Sequence, residues 1–301
     1  MGDILQQIVN GISLGSIYAL IALGYTMIYG VLRFINFAHG DIFMVGAFAG
    51  YFSAQTFTNI FGADSIIGII VIFLTSMTIC AILGATIEFL AYRPLRSRPK
   101  LTVLITAIGV SLFLEYLFQL LFGATPRGFP EIISSKPLIR SELLTINTVQ
   151  GIVIVLSFAL MFVLRVIVLR TKIGTAMRAV SHNQAAASLM GININNIITF
   201  TFMVGSALAA AGGVLYAAQY PSIDPLMGIM PGLKAFVAAV LGGIGNIPGA
   251  ALGGMIIGTT ESFVGGTFLS TYRDAIAFAI LIGILIFKPS GILGKHEVEK
   301  V

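Results

Sequence analysis

An ionisable side chain inside an apolar segment costs about 3 kcal/mol at the centre of a bilayer, so each one kept there asks for a reason. The carboxylates that stand out are Glu88, Glu115 and Glu261, with His39 and Asp41 in the sequence NFAHGD. Glu88 is about a turn from a basic loop and can snorkel toward Arg93. Glu115 lies deeper, within 101–122, and fits three states: protonated, paired, or facing water. Glu261 sits near a segment end beside Arg273 and Asp274, as an interfacial group does. His39 and Asp41, with Arg33 near them, fit a helix cap with a local ion pair as well as they fit a gate. A self-energised proton or sodium carrier would want a chain of acids at mid-depth. The sequence places no second acid beside Glu115, which argues against that class.

Enzyme signatures fail on context. GISLG at 11–15 matches G-x-S-x-G, but it lies inside an apolar run and not at a strand–turn–helix elbow, so Ser13 is a packing serine. There is no G-x-x-x-x-G-K-[ST] loop; Gly294–Lys295 is followed by His296. His39, His182 and His296 lack metal-ligand spacing, and Cys80 is the one cysteine. No cofactor is therefore expected in this chain.

The elements that must carry these residues follow from hydropathy. The chain is 57% hydrophobic and 10% charged over 301 residues, against roughly 25% charged in soluble domains, with mean hydropathy +1.00. This is the composition of a polytopic helical membrane protein, expected as a single membrane domain, 1–301. Apolar runs occupy 4–32, 36–52, 65–92, 101–122, 148–169, 194–218, 230–241, 247–264 and 271–287, giving eight or nine membrane segments; 230–241 is too short to span and reads as a half-helix. The net charge of +5 is spread over loops and not gathered into a nucleic-acid patch. Arg93, Arg96, Arg98 and Lys100 in one loop, Arg165, Arg170, Lys172 and Arg178 in another, and Lys288, Lys295 and Lys300 in the tail 288–301 put those parts in the cytoplasm and the N-terminus outside. Lipid is the expected surrounding, and MGDILQQIVNG lacks the basic start of a removable signal. Pairs of the form G-x-x-x-G at 11/15, 46/50, 249/253 and 254/258 predict close helix packing. The stretches 34–50 and 238–254 each set a polar or Gly/Pro-broken backbone beside a Gly/Ala helix, a hint of two related halves around a path.

The longest basic interruption, about 170–193, carries no acid. Its cations alone are an ordinary cytoplasmic loop. RAVSHNQAAASLMGIN adds a helix-forming block over 174–190, closed by Gly191, with Ala179, Ala186, Leu189 and Met190 as an apolar stripe. Small residues suit docking in a protein groove better than lying on lipid.

In their order along the chain, FINFAHGD, RAVSHNQAAASLMGIN and AAVLGGIGNIPGAALGG resemble the branched-chain amino-acid ABC importer permeases, of the smaller, LivH-type subunit. The resemblance spans the chain. It implies an all-α importer-permease fold and a second permease subunit enclosing the path. It also implies two ATP-binding subunits holding ATP-Mg, and a solute-binding protein outside a bacterial plasma membrane. A coupling helix would then use Arg178, Ser181, His182, Asn183, Ala186, Ala187 and Gly191, and Asn36, His39, Asp41, Gly242, Gly243, Gly245 and Asn246 would line or gate the path. Related permeases move other neutral amino acids, urea or short amides, and an ion-coupled carrier is the alternative of another class.

Overall fold

The computed structural model describes residues 2–62, 64–96, 98–141 and 144–294; the tail after Gly294, with Lys295, His296 and Lys300, lies outside the described residues. Helices α1 (Gly2–Leu32) and α2 (His39–Phe61) are joined by a six-residue break in which Arg33 has φ 58°. Helix α3 (Ile66–Ile87) starts on a Ser65 cap and runs into a π-turn, Glu88–Tyr92, and a 3-10 turn, Arg93–Leu95. Pro99 then turns the chain into α4 (Lys100–Phe122), which Gly123 stops at φ 82°.

The loop that reads as merely polar in the sequence contains strands. β1 (Arg127–Gly128) is followed by an antiparallel hairpin of β2 (Pro137–Ser141) with β3 (Leu144–Asn147). Asp64 pins this loop by accepting from the Ser134 amide at 2.6 Å, and hydrogen bonds from Ser134 hold its carboxyl below the usual range. An Asn147–Gln150 capping box then opens α5 (Thr148–Arg170).

The basic block expected as one helix is two, α6 (Lys172–His182) and α7 (Gln184–Leu189). Asn183 is extended between them and accepts from Ala186 N, so an amide side chain restarts the helix one residue after the first ends. Gly191 closes the block at φ 82°, as expected. Then come α8 (Ile194–Gln219), β4 (Ser222–Ile223) paired with β1, α9 (Ile229–Gly242), α10 (Ile247–Gly265) and α11 (Arg273–Phe287).

Six stretches among the described residues are long and apolar enough to cross a membrane: 4–32, 66–95, 100–122, 148–170, 194–219 and 270–287. Helix α9, with 14 residues, reaches about 21 Å and falls short of the ~30 Å core. Large side chains such as Leu120, Val155, Phe162 and Ile286 point outward, a lipid-facing belt on α4, α5 and α11.

Helix α1 is the buried axle. Ala19, Leu20, Ile21, Ala22 and Leu23 are all fully enclosed. It can be so enclosed because glycine lets neighbouring backbones touch it. A methyl carbon on Gly11 would lie 2.6 Å from Thr259 Cα, one on Gly254 2.5 Å from Ala19 N, and one on Gly258 would overlap the Gly15 backbone. Of the four expected G-x-x-x-G pairs, 11/15 and 254/258 thus meet each other across α1 and α10, while 46/50 packs on α8 and 249/253 on α9. Helix α2 is stitched to α3 by Ser76 Oγ donating to Gly46 O at 2.7 Å and by the buried Cys80 thiol donating to Ile42 O at 3.6 Å.

Gly258→Ala is expected to force α1 and α10 apart and cost about 1–3 kcal/mol, read as a lowered Tm of the detergent-solubilised chain. Gly109, whose methyl position meets nothing within 4 Å, should accept alanine with Tm unchanged or slightly raised.

Candidate functional site

The break between α1 and α2 is lined by the polar residues singled out in the sequence, and the fold turns them inward. Asn36, His39 and Asp41 are all buried. Asn36 Oδ1 accepts from Tyr92 OH at 2.5 Å. Tyr92 reaches it because the π-turn adds a residue to the end of α3 and aims the phenol between Phe34 and Phe202. The same turn buries Glu88, which Arg93 holds with two hydrogen bonds, Nε to Oε1 at 3.2 Å and Nη2 to Oε2 at 2.7 Å. Thr199 of α8 joins that pair, accepting from Arg93 at 2.8 Å and donating to Glu88 at 2.8 Å. The expected reach of Glu88 to Arg93 is therefore present, with α8 as a third partner.

His39 sits edge-on to Tyr25, ring centroids 4.7 Å apart, in a slot that exists because residue 24 is glycine; a methyl there would overlap the imidazole. Asp41 turns to α4, where it accepts from Ser111 Oγ and meets the Glu115 carboxyl. The helix-cap reading does not hold, since α2 has Ala38 at its N-cap and no side-chain cap bond. Asp41 is also the partner that the sequence did not place beside Glu115.

The second candidate set lies elsewhere. Gly243 and Gly245 adopt φ 102° and 92°, the left-handed backbone that a reversal between α9 and α10 requires. Asn246 caps α10 through Gly249 N at 3.0 Å and donates to Leu293 O at 2.7 Å. Gly242 packs on Gly249 and accepts from Leu293 N at 3.1 Å. The start of α2 meets α9 at its other end, where Gly40 abuts Gly228 and Gly232. Most of the length of α9 therefore separates Asn36, His39 and Asp41 from Gly242, Gly243, Gly245 and Asn246. The stretches 34–50 and 238–254 are linked through α9 and α1 and do not form one cluster.

The basic block folds against the C-terminal end of α1. Ser181 Oγ donates to Gly30 O, and Gln184 Nε2 to Val31 O at 3.2 Å, so two carbonyls left over at a helix end are taken by side chains of α6 and α7. Gly174, Met177, Val180 and Ala187 face the bundle. Arg178 donates to Val168 O and to Thr175 Oγ1, which caps the last turn of α5. The outward face consists of His182, Asn183, Ala186, Leu189, Met190 and Gly191, with Leu189 89% and Met190 83% exposed. Of the stripe read from the sequence, Ala179 is half-buried and the other three residues are outside.

Lys234 escaped the sequence reading. It lies in the apolar run of α9, is buried, and donates to Glu261 Oε1 at 2.6 Å and to Asp274 Oδ1 at 2.7 Å; Tyr18 OH donates to Glu261 Oε2 at 2.9 Å. One cation thus ties α9 to α10 and α11, while Tyr18 adds α1. A lone lysine among apolar residues was the available signal. Glu261 is accordingly a partner inside the bundle and not only an interfacial group beside Arg273.

Comparison with known proteins matches this chain to transport permeases. Residues 7–285 fit the family model described as branched-chain amino acid transport system / permease component. The high-affinity branched-chain amino acid transport system permease protein BraD of Pseudomonas aeruginosa is 43% identical, over 99% of this chain and 98% of that protein. LivH of Escherichia coli K12, with the same description, is 41% identical over 99% and 97%. A probable branched-chain amino acid transport permease, LivH of Methanocaldococcus jannaschii, is 30% identical over 93% and 89%. With near-complete coverage in each case, the chain belongs to the branched-chain amino acid transport permease family.

Proposed function

We propose that this chain is a permease subunit of an ATP-driven importer for branched-chain amino acids, one wall of a path completed by a second permease subunit. Two ATP-binding subunits, holding ATP-Mg, would dock beneath it, and a solute-binding protein would deliver substrate from outside. The membrane is a bacterial plasma membrane, with the N-terminus outside and the C-terminus in the cytoplasm. Full-length similarity to permease components does not favour the ion-coupled carrier.

The observation that carries the reading is the outward face of α6 and α7. A soluble helix pair that leaves Leu189 and Met190 almost fully exposed, while its polar side chains grip the end of α1, is built to transmit force from a docked protein. Two routes lead inward from it. Ser181 and Gln184 act on the last turn of α1, next to the break that holds Asn36 and His39. Asn193 caps α8, whose first turns meet Arg96 through Asn195 and the Arg93–Glu88 pair through Thr199. The π-turn passes that displacement to Tyr92 and so to Asn36. Arg178, Ser181, His182, Asn183, Ala186, Ala187 and Gly191 form the coupling element. Asn36, His39 and Asp41, together with Gly242, Gly243, Gly245 and Asn246, are the two flexible breaks at which the path opens.

The reading is tested by reconstituting the chain with its candidate partner subunits in vesicles. Leucine uptake should require ATP and the binding protein; uptake by this chain alone on an ion gradient would end the importer reading. Leu189→Asp with Met190→Asp should lower ATPase subunit binding about tenfold or more, as loss of a buried hot spot does, and leave Tm unchanged. Tyr92→Phe should keep the ATPase subunits bound but reduce transport per ATP hydrolysed, because Asn36 loses its donor, a change worth about 1–3 kcal/mol in a buried site.

A further inference from the structure

A cavity of about 190 Å³ opens at the end of the bundle opposite α6 and α7, where the start of α1, the end of α8, the end of α10 and the start of α11 converge. Its walls include Gln7, Asn10, Leu14, Tyr220, Glu261 and Arg273. It is smaller than the roughly 300–1,000 Å³ of drug-sized sites and holds about six water volumes, the scale of one free amino acid. Two of its walls carry opposite charges. Among the described residues Arg273 spends only Nε on the protein, donating to Ser270 O at 3.1 Å, which leaves the planar end of the guanidinium for a carboxylate. Glu261 accepts one bond on each oxygen, from Lys234 and Tyr18, and a carboxylate has about four acceptor positions, so two remain for an ammonium group. Asn10 Oδ1 is occupied by Gln6 at 3.1 Å and Gln150 at 2.9 Å, which fixes the amide in place.

Charge balance narrows the ligand class. Lys234 and Arg273 offset Glu261 and Asp274, so the surroundings are neutral overall but polarised across the cavity. A net anion or cation would meet one attractive wall and one repulsive one, whereas a zwitterion meets two attractive ones. We infer that this cavity is an outer receiving site for the zwitterionic head of a free α-amino acid, with the carboxylate on Arg273, the ammonium on Glu261, and the side chain against Leu14 and Tyr220. The inference rests on the importer reading above and adds where substrate first meets this chain. Glu261 is held in place from behind by Lys234, itself fixed by Asp274, so the ammonium site is tied to the position of the half-helix α9.

The test is photolabelling of the assembled importer in sealed lipid vesicles with L-photo-leucine, a diazirine analogue, followed by peptide mapping. Adducts are expected within 7–14 or 261–273, competed by L-leucine and not by leucinamide, which lacks the carboxylate. Arg273→Ala, at an exposed position, should reduce labelling about tenfold, the loss of a charge-assisted contact, and Arg273→Lys should restore part of it, with Tm unchanged in both. Labelling elsewhere, no labelling, or equal competition by leucinamide would overturn the site. ATP-driven leucine uptake in the same vesicles separates the two ideas: uptake with adducts elsewhere removes the receiving site alone, whereas no uptake with all subunits bound removes the importer reading.

Discussion

Everything in this molecule hangs on how closely backbones approach α1. In hydrocarbon no hydrophobic force draws one helix to another, so contact depends on dispersion and on removing the side chains that would keep helices apart. Gly11 and Gly15 against Gly254 and Gly258 do this on one side of α1, and Gly24 against Gly205 does it on another. The same economy at Gly40, Gly228 and Gly232 lets the start of α2 cross the start of α9. Because these contacts are between main chains, neighbours can shift only as units. A pull on the last turn of α1 therefore moves a packed group of helices and is not absorbed by side chains changing rotamer.

Cross-links of opposite charge complete the frame. Glu88 with Arg93 and Thr199 fastens α3 to α8, and Lys234 with Glu261, Asp274 and Tyr18 fastens α9 to three other helices. A buried pair adds little net stability compared with apolar residues of the same shape, but a buried charge stripped of its partner is costly. Such links fix which helix faces which, and they resist partial opening. In the break after α1, Asn36 Oδ1 accepts from the Tyr92 phenol and His39 meets the edge of Tyr25.

Much of this was legible in the chain alone. Helix positions, the half-helix at 230–241 and the glycine turn after it follow from local hydropathy and backbone freedom, and they stand where they were expected, six of the helical stretches being long and apolar enough to span. The basic block divides the two cases. That a helix would form over 174–190 was readable from its composition; that Asn183 would split it depended on one side chain choosing a backbone amide over solvent. Asp41 meeting Glu115, Lys234 meeting Glu261, and the hairpin beyond α4 are contacts between residues remote in sequence. No periodicity encodes them, because they depend on where helices land after packing.

The thiol of Cys80 has a practical consequence. It is enclosed between α2 and α3, donates to a main-chain carbonyl, and belongs to the one cysteine in the chain. In the folded state a maleimide cannot reach the sulfur, which is wholly enclosed. The natural sequence is in effect a cysteine-silent background. A fluorophore or spin label attached at Leu189 or at Gln7 would report from a single defined position, without first stripping the protein of native thiols.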